Sequence, residues 1–271
     1  MWDCLPGGMK LGGAPVNFAY HVMQLGADSY PVSAVGTDEL GNETLESCRR
    51  YGLETRFIQR NPLPTSRVMV NLDGNGVPQY NIVENVAWDA LEATPEALSF
   101  ASRADAVCWG SLSQRCATSR KAIWRILCAV PETAMKIFDI NLRQHYFSKE
   151  IIEDSLRQAT VLKLNEDELP LVLSLLGISD IGKLVTEFEL DNIVFTHGAD
   201  YSEVYGPEGL LSHIETPKVK VSDTVGAGDC FTAAFATSLL NGEPIVTAHE
   251  KAVRLSAWLC TLPGAINPHQ L

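Results

Sequence analysis

The sequence predicts an α/β fold, a doubly wound and mainly parallel sheet flanked by helices, with a small β-strand lid. Three observations carry that reading. Short apolar runs of strand length alternate with longer stretches of helical periodicity over much of the chain. Glycines at 52 and 177 stop two of the helical stretches. One β-rich region with hairpin signals breaks the alternation.

Taken in order, Pro31 to Val35 reads as a strand and Asp38 to Tyr51 as a helix ended by Gly52. Arg67 to Leu72 and Val77 to Val83 read as strands around the turn Asp73-Gly74-Asn75-Gly76. Ala104 to Trp109 is a strand and Ser119 to Ala129 a helix; Ala134 to Ile140 is a strand and Ser148 to Gln158 a helix. Thr160 to Leu164 is a strand, Glu166 to Leu176 a helix ended by Gly177, and Asn192 to Thr196 a further strand. Such alternation indicates βαβ units, hence a parallel sheet covered on both faces. Gly7-Gly8 suggests a second, shorter ribbon near the N-terminus, so lid strands are expected at about residues 5–12 and 66–84. Ligands in such folds bind at the carboxyl ends of the parallel strands, where a projecting ribbon makes a lid.

Length and charge narrow the classes. A chain of 271 residues with no Pro/Gly/Ser-rich linker reads as a single domain over 1–271. Its 21 Lys and Arg against 33 Asp and Glu give a net charge of −12. Unspecific nucleic-acid and anionic-membrane binding both rest on clustered cations, so neither is expected. A local cationic pocket for a small anion stays compatible with that charge. No secretory pattern opens the chain, and no apolar run approaches the ~18 residues of a membrane span, which points to the cytoplasm. The seven cysteines form no C-x-x-C pair. Those in apolar surroundings, such as Cys108 and Cys128, read as reduced core residues. The histidines His21, His145, His197, His213, His249 and His269 show no metal-ligand spacing and read as structural or exposed.

Several motifs fail. Gly177 to Leu184 approaches G-x-x-x-x-G-K-[ST], but Leu184 replaces the hydroxyl residue and a helical segment precedes it, so it reads as a helix-to-helix turn. G-x-G-x-x-G, H-E-x-x-H and G-x-S-x-G are absent.

The informative stretch is Asp223-Thr-Val-Gly226-Ala-Gly228-Asp229, leading into a helix of small and apolar residues closed by Gly242. A glycine-rich turn at a helix N-terminus aims backbone N–H groups at one spot, and the helix dipole adds positive potential. This makes an anion hole without cationic side chains. Asp229 beside it is placed to take a proton from a hydroxyl that attacks a bound phosphoryl group. Standing alone, Gly-x-Gly-Asp reads first as an ordinary helix start; the full seven-residue string favours the anion hole.

The full string resembles the D-T-x-G-A-G-D signature of the ribokinase/fructokinase-like sugar kinases. Gly12-Gly13-Ala-Pro-Val-Asn17 resembles the family's G-G-x-x-x-N segment, and Val35-Gly-Thr-Asp38-Glu-Leu-Gly41 its V-G-x-D-x-x-G. Asn165-Glu-Asp-Glu168 matches N-x-x-E, and Thr196-His-Gly198 resembles the T-x-G of the nucleotide site. Bacterial-type fructokinases are the most similar subgroup, through Trp2-Asp3, Gly-Gly-Ala-Pro-x-Asn-Phe-Ala, Ala87-Trp-Asp89 and Asp139-Ile-Asn-Leu-Arg143.

The resemblance implies a ribokinase-like fold and ATP-dependent phosphorylation of a small sugar, with fructose foremost. It implies Asp229 as base and Gly226, Ala227 and Gly228 as the anion hole. It implies Asp3, Gly13 and Asn17 on the sugar, Asn165, Thr196, Gly198, Thr224 and Arg143 toward the nucleotide, and Asn165 with Glu168 holding Mg2+ through water. Asn17 also fits a cap before a helix running to Leu25, and Asn165-x-x-Glu168 also fits a helix start. Asp223 and Thr224 match a monovalent-cation loop of many relatives, which makes K+ a candidate activator. A homodimer through the lid is the candidate assembly. The alternatives are another carbohydrate or nucleoside kinase, or a non-catalytic sugar-binding relative. Relatives usually open with a buried apolar strand before Trp-Asp; here Met1 precedes Trp2, so that first strand is expected to be missing and the gene product to be longer.

Overall fold

The computed structural model of the protein describes residues 1–5, 8–72 and 78–269, with the backbone alone at 3–5, 69–72 and 78–80. The N-terminal part runs β1 (Trp2–Leu5), β2 (Gly8–Leu11), α1 (Ala14–Gln24), β3 (Ser33–Gly36), α2 (Glu39–Arg50), β4 (Ile58–Asn61), β5 (Arg67–Leu72) and β6 (Pro78–Ile82). Next come α3 (Pro95–Ala101), β7 (Ala106–Trp109), α4 (Ala117–Ala129), β8 (Met135–Asp139), α5 (Lys149–Gln158), β9 (Val161–Asn165), α6 (Glu168–Leu176) and α7 (Ile181–Glu187). The chain continues through β10 (Asn192–His197), β11 (Tyr201–Gly206), β12 (Gly209–Glu215), α8 (Ala227–Leu240) and α9 (Ile245–Leu259).

The largest sheet has the order β12-β11-β10-β9-β8-β7. Strands β7 to β10 are parallel, and β11 and β12 add an antiparallel edge. Neighbouring residues along a strand point to opposite faces, and here both faces are apolar. Phe138, Leu162 and Ile193 enter a core with Ile152, Val172 and Leu184. Ile137, Val161 and Val194 enter another with Phe231, Phe235 and Ala252. So α8 and α9 cover one face while α5, α6 and α7 cover the other.

Strands β3 and β4 form a separate parallel pair, packed with α1 and α2 through Val16, Tyr20, Val35, Leu45 and Ile58. The third sheet, β2-β1-β5-β6, is the expected ribbon system. It begins at Trp2, earlier than the sequence suggested, because Trp2 is anchored: its N–H meets Ser66 O at 3.0 Å and its Nε1 donates to Thr44 Oγ1 at 2.8 Å. The predicted turns at Gly7 and at 73–77 lie outside the described residues.

The Val35–Gly41 motif explains how this ribbon is rooted. Asp38 caps α2 by accepting from Gly41 N, and also accepts from Thr65 N and Thr65 Oγ1, at 2.8, 2.8 and 2.6 Å. A Cβ at Gly36 would sit 2.6 Å from Leu63 O, so only glycine admits that approach.

Most strands and helices fall within a few residues of their predicted bounds. The hairpin β11–β12, strand β4 and the helices α3 and α9 were not anticipated. Asn17 does not cap a helix: α1 already begins at Ala14, and Asn17 is buried inside it. Gly177 to Leu184 is the expected helix-to-helix turn, with Asp180 capping α7 through Lys183 N at 2.9 Å. The described cysteines are unbonded, but Cys128 is exposed on α4 rather than in the core. Among the described residues no single helix is long and apolar enough to cross a membrane.

Candidate active site

The site forms where β8 and β9 end against the N-terminus of α8. Asp139, the last residue of β8, accepts from Lys163 Nζ at 3.0 Å and from Thr232 Oγ1 of α8 at 2.9 Å. These bonds fasten α8 to the strand ends. Lys163 is buried; burial alone would discharge it, but Asp139 beside it holds its ammonium pKa above the ordinary value. Sequence reasoning missed Lys163. Its signal was a lone Lys inside the apolar run Val161-Leu-Lys-Leu.

The turn before α8 is built by its first residue. Asp223 Oδ1 accepts from Val225 N at 3.1 Å and Oδ2 from Gly264 N at 2.9 Å, so Asp223 folds the turn and ties it to the C-terminal segment. Gly226 is left-handed at φ +78°, and a Cβ there would overlap Ala265. Ala227 N turns back onto Thr224 O at 3.2 Å, and the first bond of the helix runs from Cys230 N to Gly226 O at 2.8 Å. The amides of Gly228 and Asp229 therefore precede the helical ladder and have no backbone partner among the described residues, whereas that of Ala227 is engaged.

Asp229 follows in the first turn of α8. Its Oδ2 accepts from Asn17 Nδ2 of α1 at 2.8 Å. Burial, then repulsion from Asp139, pushes its pKa up to about 6, although Asn17, Lys163 and Arg143 all pull downward. A carboxyl poised there is matched to proton transfer near neutrality. The amide oxygen of Asn17, Oδ1, is buried without a partner among the described residues. Such an acceptor is costly until a hydroxyl or N–H donor reaches it.

The other predicted residues fall around this centre. Gly13 stands just before α1 at φ +106°. Asp3 pairs through its backbone with Lys10 and Val68 on the ribbon; its side chain lies outside the described residues. Arg143 is exposed on the loop after β8 and acts on Asp229 by charge. That loop holds Asn141 at φ +44° and Gln144 at φ +50°, conformations uncommon for residues with side chains. Glu168 tethers it: Oε1 accepts from Leu142 N at 2.8 Å and Oε2 from Asn165 N at 3.0 Å. Asn165 Oδ1 in turn accepts from Asp167 N and Glu168 N, each at 3.0 Å. Glu168 is buried, and that burial raises its pKa against the pull of these donors and of Lys163. Thr196, next to last in β10, pairs with Asn165 at the end of β9, and Gly198 turns the chain at φ +43° with Glu166 Oε1 close by.

A glycine turn opening a helix at the strand ends, with a base-like Asp beside it, defines a group-transfer site. The pfkB family carbohydrate kinase profile matches residues 7–270, and the chain belongs to that family. It is 26% identical over 244 residues to a fructokinase of Escherichia coli, covering 84% of this chain and 76% of that one. It is 25% identical over 240 residues to aminoimidazole riboside kinase of Salmonella typhimurium, covering 84% and 73%. The fold is ribokinase-like: it superposes on a Xylella fastidiosa fructokinase, solved with bound ATP, with a TM-score of 0.85. That alignment covers 98% of this chain and 90% of the other at 22% identity.

Proposed function

We propose that this protein transfers the γ-phosphoryl group of ATP to a hydroxyl of a small sugar, with fructose as the leading acceptor. The observation that carries the reading is Asp229, held by Asn17 and set against the free amides of the glycine turn. Asp229 takes the proton of the acceptor hydroxyl; that oxygen bonds to the γ-phosphorus as the bond to the leaving ADP oxygen breaks. Gly226 and Gly228 leave room for the phosphoryl oxygens, and the amides at 228 and 229 stabilise their charge. Asn17 Oδ1 and Gly13, with Asp3 from the ribbon, bind sugar hydroxyls. Arg143, Thr196, Gly198 and Thr224 line the nucleotide side.

The oxygens of Asn165 and Glu168 are hard donors of the kind magnesium takes, but backbone amides already hold them. They therefore fit Mg2+ through water rather than directly. Magnesium bound there supplies neutralising charge at the phosphates. The β2-β1-β5-β6 sheet acts as a lid that keeps water from the phosphoryl group and offers an edge for a homodimer. Support for fructose comes from the fructokinase relatives; the riboside kinase marks the competing acceptor class.

The test is ADP release with Mg-ATP against fructose, ribose, other hexoses, adenosine and aminoimidazole riboside, with Asp229→Ala alongside and K+ exchanged for Na+. Turnover with fructose, lost in the variant, is the expected result. Turnover with another acceptor alone replaces fructose and keeps the mechanism. Undiminished turnover in Asp229→Ala overturns the base assignment. Sugar binding without turnover favours a binding protein.

A further inference from the structure

Helices α1 and α8 and the C-terminal segment meet directly behind Asp229 and bring together three side chains widely separated in sequence. His21 lies one turn beyond Asn17 on α1, Cys230 follows Asp229 on α8, and His269 comes from the C-terminal segment. One ring nitrogen of each histidine and the Cys230 sulfur all lie within 4.8 Å of one another. His21 and Cys230 are fully buried. No spacing rule on a single chain segment could have revealed this group.

The hydrogen bonds fix its chemistry. His21 Nε2 is 3.0 Å from Ala265 O, and a carbonyl can only accept, so the Nε2 proton is on His21 and its Nδ1 carries the lone pair. His21 Nδ1 is 2.8 Å from His269 Nε2, which must therefore donate. That leaves the lone pair of His269 on Nδ1, which is buried and has no partner among the described residues. An imidazole whose second nitrogen donates to a backbone carbonyl is the arrangement that orients metal-ligating histidines. The rings of His21 and His269 are stacked, with centroids 5.1 Å apart, and the edge of Trp258 closes the far side of His269.

We propose that His21, Cys230 and His269 form a site for one thiophilic closed-shell cation of the Zn2+ class. Zn–N bonds near 2.0–2.1 Å and a Zn–S bond near 2.3 Å place ligand atoms roughly 3.3–3.7 Å apart, so atoms that now lie within 4.8 Å of one another close by about 1.5 Å at most. The adjustment falls on His269, which sits on a loop and is only half-buried. Binding uses the Nδ1 lone pairs of both histidines, breaks the His269 Nε2–H bond to His21 Nδ1 as His269 moves, and displaces the Cys230 thiol proton to solvent, with water completing the fourth position. Magnesium is excluded by the absence of oxygen donors in the triad. Because Cys230 adjoins Asp229, His21 lies one turn from Asn17, and Ala265 packs on Gly226, closure also restrains the catalytic turn.

The experiment uses the full chain stripped of metal and titrated with Zn2+ against a chromophoric chelator, repeated with His269→Ala and with Cys230→Ala. The expected result is one equivalent bound, each variant binding at least tenfold more weakly, and a thiolate-to-metal charge-transfer band when Co2+ replaces Zn2+. His269→Ala changes a half-buried loop residue, so a folding failure of Cys230→Ala would leave that arm and the Co2+ spectrum decisive. Binding unchanged in His269→Ala, no stoichiometric binding, or a Co2+ adduct without the sulfur band overturns the site. None of these readouts needs kinase turnover, so the inference and the proposed activity fail separately.

Discussion

Asn17 is the residue through which the acid limb of activity can be moved. In the native site Asp229 titrates at about 6, and Asn17 is the nearest group holding it down, through the 2.8 Å bond to Oδ2. Hydrogen bonds to charged groups contribute about 1.5–3 kcal/mol. One pKa unit corresponds to about 1.4 kcal/mol, so Asn17→Ala should raise the Asp229 pKa by roughly 1–2 units. The base works ionised, so activity is present above the pKa and lost as pH falls through it. In wild type kcat/KM should fall tenfold per unit below about 6. In the variant the midpoint should lie at roughly 7–8. The variant also loses the proposed contact of Asn17 Oδ1 with substrate, which lowers kcat/KM at every pH, so the diagnostic quantity is the midpoint. The assay is kcat/KM from pH 5 to 9 in buffers of constant ionic strength. An unchanged midpoint, or one shifted downward, would refute the coupling of Asn17 to the base.

Lys163→Met leaves Asp139 buried with only Thr232 to satisfy it, and breaking such a pair from one side costs about 3–5 kcal/mol. Urea unfolding should show that loss, and Lys163→Met combined with Asp139→Leu should recover much of it; equal stability of single and double variants would contradict an ion pair as the cause. His249 is fully buried between Ser202 Oγ at 2.7 Å and Ser212 Oγ at 2.8 Å, and burial, then the charge of His213, lowers its pKa to about 4. The unfolded chain takes up its proton near 6.5, so between that pH and about 4 the unfolded state binds more protons and stability falls as pH falls. His249→Gln should flatten the slope of unfolding free energy against pH across that window; an unchanged slope would remove His249 as its source.

The parallel core was legible because burial on both faces writes itself into continuous apolar runs such as Ile193 to Phe195. The hairpin β11–β12 was not, because its edge strand β12 leaves Leu210 and Leu211 exposed and alternates weakly. Glycine positions in the site were legible because each answers a local demand, as Gly226 does with its positive φ. Partnerships were not. Asn17 and Asp229 are separated by 212 positions and His21 and His269 by 248; the packing of α1 on α8 joins the first pair and that of the C-terminal segment on α1 the second. Lys163 was hidden for a related reason: its meaning depends on Asp139 one strand away. The motif Asn165-x-x-Glu168 was visible, and its reading as a helix start holds in the reciprocal bonds of Glu168 N to Asn165 Oδ1 and of Asn165 N to Glu168 Oε2, whereas the second hold of Glu168, on Leu142 N, left no trace in sequence.

The charge of the chain raises a further question for a site that handles phosphates. A protein with a net charge of −12 repels an anionic nucleotide at long range. Lys163 does not reverse this, because Asp139 neutralises it at 3.0 Å. In the proposed reading attraction comes from the amides of Gly228 and Asp229, which have no partner among the described residues, and from Arg143, an exposed cation that reaches Asp229 by charge. Arg143 stands on a loop with two residues in left-handed conformation, a geometry that costs free energy and needs an external hold. Glu168 provides it through Leu142 N. A buried acid in an acidic protein thus serves the anion site by fixing a cation. In this reading Glu168→Gln keeps much of the geometry, since its amide oxygen still accepts one of the two N–H groups, whereas Glu168→Ala frees the loop and weakens nucleotide binding more than sugar binding.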